Sequence, residues 1–164
     1  MNEISTTYYK SPIGLIEICG TENYISSLSF IDQADNIDQA DPQQQALQQC
    51  IDQLQSYFSG TLCSFNLPIN QQGTTFQSKV WAELLNINYG QTISYMTLAK
   101  RLGDPNCIRA AAASNGKNHI CIIVPCHRVI GSNNSLVGYV GGLWRKKWLL
   151  DHENKIANGA QTLF

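Results

Sequence analysis

Charged side chains make up only 14% of the 164 residues, too few for a coiled coil, while the 43% hydrophobic share is too high for a disordered chain. No apolar run approaches the roughly 20 residues that span a bilayer, so no membrane partner is expected. The opening MNEISTTYYKSPIG lacks the basic region and the apolar core of a secretory signal. A cytoplasmic protein is expected, with its six cysteines held as free thiols rather than as a disulfide framework. No CxxC pair occurs, and His119, His127 and His152 are not spaced with cysteine pairs, so no zinc site is expected. A phosphate loop is missing too: Gly138-Tyr139-Val140-Gly141-Gly142 has the glycines but no following Lys-Ser/Thr.

Positive charge is nearly absent from the first 75 residues, which hold one base, Lys10, against eight acids and sum to −7. Residues 76–164 hold ten bases and four acids and sum to +6. An acidic half joined to a basic half points to one lobe that meets a polyanion and one that does not, with chance unevenness across solvated faces as the plainer reading.

The pattern of elements supports two lobes, 1–72 and 73–164. Thr7–Lys10 and Ile13–Cys19 alternate around Ser11-Pro12 as a β-hairpin, and Tyr24–Phe30 reads as a third strand. After the polar stretch Asp32–Asp41, Asp41 is expected to cap a helix with Pro42 at its first position. Leu47, Cys50, Ile51, Leu54 and Phe58 form its buried stripe, and Gly60 ends it. Residues 61–73 read as an extended linker. The second lobe opens with Thr74 and Gln77 spaced as a capping box, ahead of Phe76, Val80, Trp81, Leu84 and Leu85 at helical spacing. Ser94 caps a helix over Tyr95–Leu102, and a second follows the turn at Asp104-Pro105, over Asn106–Asn115. Two short helices joined by a tight turn form a helix-turn-helix pattern. The fold class expected is α/β (α+β): a small antiparallel sheet with a helix, then a mainly helical lobe.

The helix Cys107–Ser114 is a run of small residues with one cation, Arg109. A major-groove reader needs polar side chains to meet base edges, and here there are almost none. Such a helix suits close approach to a shallow groove with one long prying side chain; packing inside the fold is the plainer reading of the helix alone.

Ile120–Gly131, ICIIVPCHRVIG, concentrates the chemistry. Ile122, Ile123 and Val124 read as a short buried strand leading to Cys126. Cys126 alone among the cysteines has an imidazole and a guanidinium beside it, from His127 and Arg128, and nearby positive charge favours thiolate below the ordinary value of about 8.5. A base needs an orienting partner, and Glu153 in Leu149-Leu150-Asp151-His152-Glu153 supplies one; His152 and Asp151 fit the same spacing. The other cysteines read as packing residues.

Pro125-Cys126-His127-Arg128-Val129 resembles the active-site signature of the O6-alkylguanine-DNA alkyltransferase family (methylated-DNA--protein-cysteine methyltransferases). The likeness extends over about residues 73–154, through Gly90, Ser94-Tyr95, Leu98-Ala99, Arg109-Ala110, Asn118, Gly138-Tyr139, Gly141-Gly142, Lys146, Leu149-Leu150 and Glu153. The first 72 residues match only in Ser11-Pro12-Ile13-Gly14. His119 and Asn88 stand where the family often has proline, Ala112 where it often has glycine, and Val140 where some members carry serine. Cys126 excludes the non-reactive alkyltransferase-like proteins.

The resemblance implies a DNA repair protein that flips O6-alkylguanine, and also O4-alkylthymine, out of double-stranded DNA. It transfers the alkyl group irreversibly to its own cysteine, once per molecule, as a monomer and with no cofactor. Cys126 is then the acceptor, His127 and Glu153 its proton relay, and Tyr95 the donor to the leaving base. Asn118 supports the site, Arg109, Ser94, Ala110 and Ser132 meet DNA, and Tyr95, Val129, Tyr139 and Val140 form the substrate pocket. Two rival classes stand beside this reading: a Cys-His-Glu thiol hydrolase and a non-catalytic DNA-binding regulator.

Overall fold

A computed structural model describes residues 3–32 and 42–159, and the chain divides into two units, Met1–Gln72 and Gly73–Phe164. Among the described residues no helix is long and apolar enough to cross a membrane.

In the first unit, β1 (Ser5–Ser11), β2 (Gly14–Gly20) and β3 (Ile25–Ile31) form an antiparallel sheet in the order β1-β2-β3. The hairpin closes with Ser11 opposite Gly14 around Pro12-Ile13, as the Ser-Pro signal predicts. Gly14 sits at φ +117°, and the Ser11 hydroxyl donates to its carbonyl at 2.6 Å, which ties the turn to its own strand end.

Helix α1 (Gln45–Ser59) lies on this sheet. It buries Leu47, Cys50, Leu54, Tyr57 and Phe58, and the sheet contributes Ile16, Ile18, Ile25 and Leu28 to the core. Each such side chain contributes about 1.5–3 kcal/mol on leaving water. Burial pushes the Cys50 thiol up to about 12, which makes it an inert packing residue. The helix begins three residues later than expected from Pro42. Its N-cap is Gln44, whose amide donates to Ser5 on β1 instead of capping. Asp41, the expected cap, lies outside the described residues, as does most of the polar stretch before it. Gly60 closes the helix in the left-handed region.

Residues 61–72 are not a bare linker. Ile25 N–H donates to the Pro68 carbonyl, and Asn70 N–H to the Ile25 carbonyl, both at 2.9 Å, so this segment bridges to β3 in parallel. The Gln53 side chain holds Asn66 by both its N–H and its carbonyl.

In the second unit, α2 (Thr75–Leu84) starts with the full Thr74–Gln77 capping box. Val80, Trp81 and Leu84 are buried, and Trp81 Nε1 donates to the Ser114 carbonyl at 2.8 Å, tying α2 to α4. Leu85, expected in the buried stripe, is 52% exposed: it is the C-cap, and after the turn Ile87 fills the core instead.

Ser94 ends β4 (Ile93–Ser94) and caps α3 (Tyr95–Arg101) by accepting from Thr97 N–H. The second helix of the pair is interrupted at its start. Pro105–Cys107 is a 3-10 turn capped by the Asp104 side chain, and α4 proper runs Ile108–Gly116. β5 (Val129–Ile130) pairs in parallel with β4, and α5 (Leu143–Asn158) closes the unit.

Ile122–Val124 is not a strand. Ile122 sits at φ +71°, a genuine outlier for a β-branched residue, and the chain reverses there. The short strand of this region, β5, follows Cys126 instead of leading to it.

Candidate active site

The reversal at Ile122 costs on the order of 1–3 kcal/mol and persists because its surroundings over-determine it. The buried Asn118 amide donates to the Ile120 carbonyl at 3.2 Å and to the Val124 carbonyl at 2.9 Å, while its oxygen accepts from Ile120 N–H at 3.1 Å. Ile123 N–H donates to the Cys121 carbonyl at 2.7 Å, and Cys126 N–H to the Val124 carbonyl at 2.8 Å. Pro125 ends the turn, and Cys126 opens a 3-10 turn, Cys126–Arg128, with Asn115 Nδ2 donating to its carbonyl at 3.3 Å.

Cys126 is 6% exposed and held below its ordinary pKa. The first cause is a hydrogen bond from the Cys121 thiol; burial opposes it, and the Asn118 side chain and the Lys146 charge assist. Cys121 is driven in the opposite direction, well above its ordinary value, by the same contact and by burial. Of the two thiols Cys126 is the better nucleophile at neutral pH.

His127 is fully buried, with Nε2 2.7 Å from Glu153 Oε2. Burial lowers the imidazole pKa and outweighs the attraction of Glu153, so the ring is neutral at neutral pH. Burial alone would raise the Glu153 carboxyl, but the His127 ring and the Arg128 guanidinium that donate to it hold it well below the carboxylate range. Arg128 grips the carboxylate in a bidentate fork, Nε to Oε1 at 2.8 Å and Nη2 to Oε2 at 3.1 Å, and donates through Nη1 to the Ile87 carbonyl at 2.7 Å. Gly90 N–H approaches Oε1 at 3.4 Å. Gly90 is at φ +78°, and a Cβ there would fall 2.4 Å from the Ala157 methyl, so only glycine lets this loop lie on α5. With Glu153 ionised, His127 Nε2 carries the hydrogen. Nδ1 is then a buried lone-pair nitrogen with no hydrogen bond to any described residue.

Tyr95 is the first residue of α3. Its O–H donates to the Val137 carbonyl at 3.2 Å, and burial, then the Cys126 charge, raise its pKa, so it stays a proton donor. Lys146 reaches the same place from α5. Its fully buried ammonium donates to the carbonyls of Val129, Val137 and Gly138 at 2.7, 3.0 and 3.3 Å, and burial lowers its pKa to about 8. A cleft of about 460 Å³ opens beside Tyr95, lined also by Ile108, Arg109, Ala112, Val137 and Gly138.

Residues 75–155 match the family described as 6-O-methylguanine DNA methyltransferase, DNA binding domain, and residues 4–71 match its ribonuclease-like domain. The methylated-DNA--protein-cysteine methyltransferase of Mycobacterium bovis is 41% identical over 156 residues, covering 94% of each chain. That of Methanosarcina acetivorans is 40% identical over 148 residues, 88% of this chain and 95% of its own. The crystal structure of Mycobacterium tuberculosis OGT in complex with DNA superposes with a TM-score of 0.83 at 40% identity, covering 92% of this chain and 93% of that one. The chain belongs to the methylated-DNA--protein-cysteine methyltransferase family. Its activity is DNA repair by alkyl transfer from methylated DNA to a protein cysteine, and the hydrolase and regulator readings give way to it.

In this methyltransferase Cys126, His127, Glu153, Tyr95 and Asn118 converge. Asp151 and His152 do not: Asp151 pairs with Lys147 at 2.6 Å, and His152 stacks on Trp148. Arg109 lines the cleft with its side chain exposed, and Ala110 is exposed beside it. The Ser94 hydroxyl is engaged at the helix cap, and Ser132 is exposed on the loop after β5. Of the expected pocket residues only Tyr95 lines the cleft. Val129 is sealed in the core and offers only its carbonyl, to Lys146; Val140 is 71% exposed; and the Tyr139 hydroxyl is buried toward Cys121. Val137 and Gly138 line the cleft beside Tyr95.

The source of the thiolate's stability also differs from the expected one. Arg128 is spent on Glu153 and Ile87, and His127 is neutral, so neither supplies the charge beside Cys126. Hydrogen bonding by Cys121 and Asn118 favours the thiolate instead, and the charge comes from Lys146. Among the described residues no group of three or more His, Cys, Asp or Glu converges as metal ligands would.

Proposed function

We propose that Cys126 is the alkyl acceptor and that it acts once. The observation that carries this reading is its setting: a buried thiol held toward thiolate at the head of a strained turn, next to a neutral His127 whose Nδ1 is free to take a proton. His127 Nδ1 takes the thiol proton through a bridging water, and Glu153, kept anionic by Arg128, stabilises the imidazolium that results. The sulfur attacks the alkyl carbon on the guanine O6; the C–S bond forms as the C–O bond breaks, and the electron pair leaves with the base. Tyr95, raised in pKa and able to leave the Val137 carbonyl, protonates the departing guanine. The product is a thioether with no return path.

A base in a duplex is out of reach of a buried thiol, so the substrate nucleotide is rotated out at a cost of a few kcal/mol. The small-residue face of α4, with Ala110 and Ala113 exposed, suits close approach to a minor groove. Arg109, beside the cleft, fills the vacated stack, and Ser94 and Ser132 lie where backbone contacts are made. Asn118 is the brace of the acceptor turn. O4-alkylthymine is a second substrate class, and the free thiols suit the cytosol.

The test is a titration with a duplex carrying O6-methylguanine. The expected result is a burst of repaired lesions equal to the protein added, then none. Continued turnover would overturn the single-use acceptor.

A further inference from the structure

Two of the six cysteines share one turn. Cys121 and Cys126 lie on either side of the reversal at Ile122, both are buried and both are free. The left-handed residue folds the chain back, so that the Cys121 thiol returns to hydrogen-bond the Cys126 sulfur. Asn118 pins both arms of the turn, at Ile120 next to Cys121 and at Val124 two residues before Cys126.

We propose that Cys121 is a resolving thiol for Cys126: a hydroperoxide that reaches Cys126 ends as an internal Cys121–Cys126 disulfide, which a dithiol reopens. The chemistry needs only the pair; its consequence for repair rests on the reading of Cys126 as acceptor. The Cys126 thiolate attacks one oxygen of the hydroperoxide, the O–O bond breaks, and a sulfenic acid forms as hydroxide or alkoxide leaves. The Cys121 sulfur then attacks the Cys126 sulfur, the S–O bond breaks, and the departing oxygen takes the Cys121 proton to leave as water. The two sulfurs together lose two electrons, and the hydroperoxide gains them.

The two environments divide the roles. Cys126 is held toward thiolate and meets the oxidant first, while Cys121 is held as a thiol and reacts only when an electrophilic sulfur appears beside it. Cys126 keeps 6% of its surface exposed, and hydrogen peroxide is small enough to reach it there. An acceptor used once is lost if oxidation runs on to sulfinic acid, which thiols do not reverse. A neighbouring thiol diverts it into a state that they do reverse.

The test treats the full-length protein with hydrogen peroxide, blocks remaining thiols with iodoacetamide and digests with trypsin. Cleavage after Lys117 and Arg128 yields a peptide, 118–128, that carries both cysteines and no other. The expected peptide is two hydrogens lighter and unblocked, with transfer activity lost in proportion and restored by dithiothreitol. Cys121→Ser keeps a hydrogen-bond donor without the second sulfur; Cys126 should then gain two or three oxygens, with activity not restored. Wild-type protein that accumulates sulfinic acid as fast as Cys121→Ser, or that keeps a blocked Cys121 after oxidation, would overturn the proposal even if the variant failed to fold. Protein methylated beforehand on DNA should form no disulfide, since its Cys126 sulfur is a thioether. If untreated protein takes up no methyl group, the acceptor reading fails while the peptide mass still decides the disulfide.

Discussion

Glu153→Gln separates the proton relay from the scaffold, because the same carboxylate serves both. In the native site it accepts from His127 Nε2, from Arg128 Nε and Nη2, and from Gly90 N–H. A glutamine offers one oxygen, and its NH₂ must face at least one of these donors. The Arg128 guanidinium then keeps its charge, buried and without a counter-ion, which costs about 3–5 kcal/mol of stability. His127 loses the anion that fixes Nε2–H and stabilises the imidazolium, and general-base assistance of this kind is worth roughly a hundredfold or more. The rate loss should be largest near pH 7 and shrink to less than about tenfold two units higher, where hydroxide ionises Cys126 unaided. The assay is single-turnover methyl transfer from an O6-methylguanine duplex, read by rapid quench across pH. Arg128→Met, added to Glu153→Gln, removes the stranded charge; stability should recover while the neutral-pH rate does not. A rate loss of the same size at every pH would refute the relay and leave Glu153 a purely structural ion-pair partner.

Arg109→Ala should strongly impair transfer from duplex DNA and leave transfer from free O6-alkylguanine base nearly unchanged, with partial rescue when the lesion is mispaired; equal losses on both substrates would point to a folding defect. Asn118→Ala removes one hydrogen bond from each of two carbonyls and leaves the buried Ile120 N–H without its acceptor, so unfolding should become easier by about 1–3 kcal/mol in urea titrations, with slower transfer. Thermal stability should fall as pH drops below about 6.5, because buried His127 has a folded pKa below its unfolded one and the unfolded chain takes up the proton first. A second loss, from Glu153, should begin only below about pH 4.3, since its folded pKa is depressed; a melting temperature constant from pH 7.5 to about 5.5 would contradict the neutral His127.

Local signals carried much of this fold. The Ser11-Pro12 hairpin, the Thr74–Gln77 capping box and the Ser94 cap depend on residues next to each other in sequence, and each formed as read. Ile122–Val124 failed for a physical reason: three β-branched apolar residues carry a strand pattern, and only the Asn118 side chain and the buried turn force Ile122 into the left-handed region. The pair His127–Glu153 was legible from the spacing of reactive types and the family likeness. The environment of the thiol was not. Arg128 is adjacent in sequence yet points to Glu153 and Ile87, while Lys146, twenty residues on, reaches the carbonyls beside Cys126. Cys121 looked like one more packing cysteine because contact across an unusual φ has no periodic signature. The cleft lining shifted to Val137 and Gly138 for a like reason: no periodic pattern fixes which face a loop turns inward.

The most direct test is the mass of the 118–128 peptide after incubation with an O6-methylguanine duplex. The account predicts one added methyl group on Cys126, none on Cys121 and none on the Cys126→Ser protein, which should still bind the DNA. A methyl group found on any other cysteine, or DNA repaired with the peptide mass unchanged, would contradict it.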